Sequence, residues 1–339
     1  MMAMAVALFC IIISSIAASN DGKQLRDEFY GTSCPQAEKI VHDVVRKNEF
    51  SNKGVAPGLI RLLFHDCFIT GCDASVLLKP SPENQTEMAH PANGDSLRGL
   101  EVIDEAKAKV EKHCPGVVSC ADILAFAARD AAVLSGNPRY AVPAGRRDGL
   151  SSKKEDAGAL PASRWTVSQM TEAFANKGLN QEDLVALLGS HSIGISRCFN
   201  TIANEDFVNV VPGVRSILDE RFERVVKEKY CPELMKGTAP FNIDSELSLS
   251  LKSFIWKIER HDDFNWGISF YRNILKGEGL LPSDVGLVAD NNTREIVDRF
   301  AANATMWASH FRDAMIRLGN LDVLTGEEGE IRKVCGYVN

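Results

Sequence analysis

The chain has 339 residues, 45% hydrophobic and 24% charged, with a formal net charge of -7. That is ordinary globular composition, long enough for one large core or for two lobes sharing one. It carries no basic stripe, which argues against nucleic acid as a partner.

The first residues, MMAMAVALFCIIISSIAAS, are apolar and end in small side chains. They read as a secretory signal peptide over residues 1–23, cleaved between about Ala17 and Lys23. The competing reading is a membrane anchor, for which an apolar run of about 16 residues is short. No later segment is long and apolar enough to cross a bilayer. Cys10 lies in the signal. Cys34, Cys67, Cys72, Cys114, Cys120, Cys198, Cys231 and Cys335 remain, an even number that fits four disulfides in a secreted chain. Scattered cysteines without a CxxC pair argue against zinc, and their connectivity stays open on spacing alone. Sequons at Asn84, Asn291 and Asn303 fit the same route and offer sites for N-glycans.

Helical periodicity dominates the rest. Ile40, Val41, Val44 and Val45 recur at helical spacing, as do Leu59, Leu62 and Leu63. Leu100–Val110 and Ala121–Leu134 are long helix candidates, and Ser119 is placed to cap the second. Val167–Phe174, Glu182–Leu188, Val214–Lys229 and Ile296–Leu318 complete the set, separated by Gly-Pro-Asn-Asp clusters. Strand signals are few and short, and neither a repeat nor a low-complexity linker divides the chain. The expectation is one mainly α unit over residues 24–339.

Two histidines stand out. Arg61 and His65 are four apart on an apolar helical segment and project from one face. The pair combines a base that works near neutral pH with a fixed positive charge able to stabilise an oxyanion. His191 follows Leu184, Leu187 and Leu188 at helical spacing, which places it on a buried stripe near a helix end. There it reads either as a satisfied core histidine or as a metal or haem-iron ligand. Asp66, Asp73 and Ser75, with the carbonyls of Ile69 and Gly71, form an oxygen-rich loop. On chemistry alone that loop is either an ordinary polar turn or a calcium site.

RLLFHDCFITGCDAS, with DLVALLGSHSIG far downstream, resembles the plant secretory (class III) haem peroxidases. TEMAHPANGDSLRGLEVIDEAK, CPGVVSCADILAFAARD and VPAGRRDG are similar to that family too, and the likeness runs from about Gln24 to Asn339. The resemblance implies a mainly α haem-peroxidase fold, two helical lobes sandwiching one haem b. It implies that the protein reduces hydrogen peroxide and oxidises small phenolic donors in one-electron steps, as a secreted monomer of the extracellular space or cell wall. Residue by residue, it makes His65 the distal acid/base, Arg61 its partner and Asn93 the acceptor of the His65 Nδ1 proton. Phe64 lines the pocket, His191 is the axial iron ligand and Asp284 accepts from it. Pro161 flanks the donor site, and Ser96 and Arg98 lie near the haem propionates. Asp66, Ile69, Gly71, Asp73 and Ser75 hold a distal calcium, to which Glu87 links the distal network. The implied disulfides are Cys34–Cys114, Cys67–Cys72, Cys120–Cys335 and Cys198–Cys231.

One stretch departs from the family pattern. For a proximal calcium, Ser192 and Asp244 match, but SELSLSLKSFIWKIERHDDFNWGIS then brings about 15 extra residues, an atypical insertion at about 247–266. The Thr ligand of the family falls near Leu247 and its second Asp on Gly267. Three explanations compete: a surface loop lending Asp262 or Asp263 to the metal, an empty proximal site, or translated non-coding sequence. The functional alternative is a catalytically weak secreted homologue that binds calcium or cell wall. An intracellular haem peroxidase is a third reading, opposed by the signal and the cysteines.

Overall fold

A computed structural model describes residues 25–232, 246–248 and 267–339. The signal segment, Asp244, Asp262, Asp263 and the insertion beyond Ser248 lie outside the described residues.

Four long helices build the first half: α1 (Ala37–Ser51), α2 (Val55–Ile69), α3 (Leu100–His113) and α4 (Cys120–Leu134). Helix α1 buries Ala37, Val41, Val44 and Val45, the one-sided stripe its periodicity predicts. Helices α2 and α4 are buried on nearly every side, so they form the centre, and α1 and α3 pack around α4. Ser119 caps α4 by accepting the Asp122 N–H at 3.1 Å. Within this layer Asp122 accepts from Arg146, Tyr30 and the Gly145 N–H, each at 2.7 Å, and Arg146 donates onward to the Gly319 carbonyl. Removing one partner of such a buried pair costs about 3–5 kcal/mol, because the other charge is left without compensation.

The second half starts with α5 (Val167–Asn176) and α6 (Gln181–Leu188), each opened by a capping box, Thr166 with Gln169 and Asn180 with Asp183. Short helices α7 (Glu205–Val210), α8 (Val214–Ile217) and α9 (Glu220–Val225) follow. After the insertion come α10 (Ile268–Ile274), α11 (Pro282–Ala289), α12 (Asn291–Ala302) and α13 (Ala304–Leu318). Helix α6 is backed by α13, α12 and α5. A small separate core of Cys198, Ile202, Val208, Val211, Val214, Phe222, Val226, Cys231 and Val285 lies beneath the short helices.

Two helix predictions are corrected. Residues 214–229 do not form one helix: the chain leaves helical geometry at Leu218, and Asp219 restarts it by accepting the Phe222 N–H at 2.7 Å. Residues 296–318 are likewise two helices, because Asn303 adopts φ -142° and caps the second by accepting from Met306. In both, a short polar side chain competes with the helical backbone and wins.

Strands β1 (Ile195–Arg197) and β2 (Glu246–Ser248) pair antiparallel, with Ile195 opposite Ser248. The insertion thus begins on the segment that follows His191. Four disulfides join Cys34–Cys114, Cys67–Cys72, Cys120–Cys335 and Cys198–Cys231, the pairs the resemblance implies. The Cys120–Cys335 bridge spans 215 residues, and closures of long loops stabilise by about 2–5 kcal/mol each. No helix among the described residues is long and apolar enough to cross a membrane.

Candidate functional site

Helix α2 carries Arg61 and His65 one turn apart. His65 is buried, and its Nδ1 lies 2.6 Å from Asn93 Oδ1. The tautomer follows from the next bond: Asn93 Nδ2 donates to the Glu87 carbonyl at 2.9 Å, so Oδ1 must face the imidazole. Nδ1 therefore carries the proton and Nε2 is an acceptor. Burial, and then the charge of Arg61, hold the imidazole well below its ordinary 6.5, against the opposing Asn93 bond. His65 is neutral at physiological pH, the state a base requires.

The Arg61 guanidinium is fixed by the Ser96 and Ala92 carbonyls, both at 2.9 Å, and by Ser96 Oγ at 3.1 Å. Burial lowers its pKa to about 10, helped by the nearby charges of Arg98 and Arg197, so it stays protonated. Ser96 thus serves Arg61 directly. Phe64 is half-buried and stacks on Phe68 at 4.8 Å.

His191 departs from its predicted place. Helix α6 ends at Leu188, and His191 sits in the 3-10 turn Gly189–Ser192 rather than on the buried stripe. The turn swings it off the packed face: 30% of its side chain is open, although it lies deep in the molecule. Its Nδ1 is 3.1 Å from both oxygens of Asp284, at the start of α11. Burial resists charging this imidazole, yet the charge and hydrogen bond of Asp284 outweigh it and raise the pKa. With Nδ1 engaged, Nε2 is the free nitrogen. The charge of Arg61 acts on His191 as well as on His65, so both histidines lie near one guanidinium. Tyr271 and Trp307 lock α6 behind it, donating to the carbonyls of Val185 (2.8 Å) and Ala186 (3.1 Å).

The oxygen-rich loop lies at the end of α2, flanked by Cys67–Cys72. Asp66 accepts from Ala74 and Val76, and Asp73 from Ser75. Gly71 has φ +127°, and a Cβ there would lie 2.4 Å from the Asp322 carbonyl, so only glycine fits. Burial raises the pKa values of Asp66, Asp73 and Glu87, and the charge of Asp73 raises Asp66 and Glu87 further. Glu87 reaches about 7, with neither carboxylate oxygen partnered. Arg332 offsets part of this at Asp73, while no cation among the described residues acts on Asp66 or Glu87. No three or more His, Cys, Asp or Glu side chains among the described residues converge as a metal cluster.

On the other side, the Ser192 hydroxyl donates to the Gly189 carbonyl (2.9 Å) and accepts the Gly267 N–H (3.0 Å). At Gly267, where the resemblance expects an acid, a Cβ would meet the Trp307 ring at 2.2 Å. A side chain at this position does not fit.

A peroxidase family model matches residues 40–303. "Peroxidase 5" of Vitis vinifera is 43% identical over 318 residues, covering 93% of this chain and 92% of that protein. "Peroxidase 1" of Zea mays is 39% identical, covering 99% and 88%, and "Peroxidase 71" of Arabidopsis thaliana 38%, covering 98% and 96%. The chain belongs to the plant secretory (class III) peroxidase family. As a peroxidase it has haem as its implied cofactor, and the residues fit that group. Nε2 of the partly open His191 is not engaged by Asp284, and His65 and Arg61 supply a neutral imidazole and a cation nearby. Arg61, Arg98 and Arg197 bring positive charge close together, as the carboxylates of haem require. Arg197 was missed in the sequence because no local spacing ties it to Arg61; only the fold brings them near. A separate cavity of about 340 Å³, lined by Leu77, Pro80, Met88, Leu100 and Ile103 among others, includes none of these site residues.

Proposed function

We propose that this peroxidase is secreted as a single domain after loss of residues 1–23 and couples peroxide reduction to one-electron oxidation of phenolic donors. The observation that carries this reading is the pairing of two histidines with different backing, His65 on the Asn93 amide and His191 on the Asp284 carboxylate, which shift their pKa values in opposite directions near the charge of Arg61. Haem bound through His191 would supply the iron at which the peroxide O–O bond is broken and the oxidising equivalents are held.

His65 Nε2 takes the proton of the incoming peroxide and returns it to the outer oxygen, which leaves as water. Asn93 keeps Nε2 unprotonated by holding the proton on Nδ1. Arg61 stabilises the negative charge that grows on the departing oxygen. Asp284 makes His191 a stronger electron donor. Arg98 and Arg197 would balance the carboxylates of a bound haem, and Phe64 would line the pocket beside His65. Phenolic donors reach the site beside Pro161, two per peroxide, each giving one electron.

The distal loop is assigned one calcium, held by Asp66, Asp73, Ser75 and the carbonyls of Ile69 and Gly71, with Glu87 balancing its charge. That assignment rests on the three buried acids. The proximal calcium site is assigned as incomplete: the Ser192 hydroxyl is engaged, and Gly267 stands in place of an acid. Asn84, Asn291 and Asn303 are exposed and take the N-glycans. The protein acts as a monomer of the cell wall or extracellular space.

The test is the visible spectrum of the secreted protein before and after one equivalent of hydrogen peroxide. The reading expects a ferric haem band that changes with peroxide and returns on adding a phenol. A haem band that peroxide leaves unchanged would overturn the distal assignment. Absence of haem would leave the calcium- or wall-binding alternative.

A further inference from the structure

Pro161 begins a loop that two contacts tie to the start of α11 and to the chain downstream of His191. The Ser163 carbonyl accepts the Ser283 N–H at 2.9 Å, one residue before Asp284. The next residue, Arg164, lays its guanidinium over the Phe207 ring at 5.4 Å, and Phe207 meets Phe199 edge to face at 5.1 Å. Phe199 lies on the segment that leaves His191. The donor-side loop and the post-His191 segment therefore close on each other at Arg164.

Arg164 is exposed and makes no ion pair among the described residues. The acid nearest Phe207 in sequence that forms ion pairs, Glu205, is taken by Arg215 and Lys227. The same segment exposes Ile195, 46% open. The closure thus presents a guanidinium that lies over an aromatic ring and makes no ion pair among the described residues. A stacked guanidinium keeps its donor edge free for a planar carboxylate.

We infer that Arg164 is a specificity-determining residue that selects phenolic donors bearing a carboxylate over matched neutral phenols. The inference rests on the peroxidase reading and names a substrate class for its donor edge. The carboxylate is not consumed. Each donor loses one electron and its phenolic proton, and two donors balance one peroxide reduced to water. Arg164 acts in binding alone.

The experiment uses the haem-loaded enzyme with 4-hydroxycinnamate and 4-hydroxycinnamyl alcohol, comparing the wild type with Arg164→Gln, Arg164→Lys and Arg164→Glu. The ratio of kcat/KM for acid over alcohol is expected to fall about three- to fivefold in Arg164→Gln, the scale of an exposed ion pair. It should fall further in Arg164→Glu and recover in Arg164→Lys, with the loss carried by KM. Salt at 0.5 M should erase most of the difference. The Kd for 4-methoxycinnamate, which has no oxidisable hydroxyl, should rise by the same factor in Arg164→Gln. An unchanged ratio and Kd, with alcohol turnover intact, overturn the assignment. Oxidation of neither donor by the wild type overturns the peroxidase reading, and this inference with it.

Discussion

The two histidine sites use one side chain in opposite ways. On the distal side, His65 is backed by a neutral amide and faces a guanidinium, and it is held uncharged. On the proximal side, His191 is backed by a carboxylate, which pulls the imidazole towards positive charge and strengthens its free nitrogen as a donor. The supports differ in kind as well. The distal pair shares one long, buried helix in a layer tied by the Asp122–Arg146 pair. The proximal pair joins a turn after a short helix to a residue 93 positions away. An imidazole's charge is thus set by what stands behind it, an amide leaving it neutral and an anion drawing it towards positive charge.

The largest break in this contrast is His191→Ala, which is expected to abolish the haem band and all peroxidase turnover; retention of both would remove His191 from its assigned role. His65→Leu comes next. Haem should stay bound while the rate of reaction with peroxide falls by about 10²–10⁴, the range of general acid–base catalysis, measured by stopped-flow absorbance.

A swap sharpens the comparison. Asn93→Asp places an anion behind His65 and should raise its pKa, because a neighbouring negative charge favours the protonated imidazole. In the wild type, lowering the pH protonates His65 only well below 6.5, so the rate should hold down through that value. In Asn93→Asp, protonation disables the base at higher pH, and the acid limb should move up. An unmoved limb would mean that Asn93 does not set the state of His65. The smallest effect is Gly267→Ala. It adds a methyl group against Trp307 at φ +82° and should lower stability by about 1–3 kcal/mol, read as a fall in denaturation midpoint. No loss would mean that this packing does not anchor the chain at Ser192.

Much was legible in the residue order because helical spacing is local. Arg61 and His65 share a face at i, i+4, Ser119 caps α4, and the stripe of Val41, Val44 and Val45 turns α1 inward. The family motifs carried the long-range pairs that spacing alone cannot supply, the Cys34–Cys114 and Cys120–Cys335 bridges among them. Where local reasoning ran out, a polar residue inside a periodic run had intervened, as at Asp219 and Asn303. Hydrophobic period alone does not register such caps.

By itself, then, the sequence determined most of the long helices, the even cysteine set and the i, i+4 placement of Arg61 and His65, because helical spacing depends on neighbours within a few positions. Only the tertiary structure decided that His191 leaves its helix to open onto the site, that the Asn93 amide points its oxygen at His65, and that Arg197 comes near Arg61. It also decided that Gly267 meets an indole where an acid was expected. Those outcomes depend on how separately formed elements pack, and packing brings together residues that no local period relates.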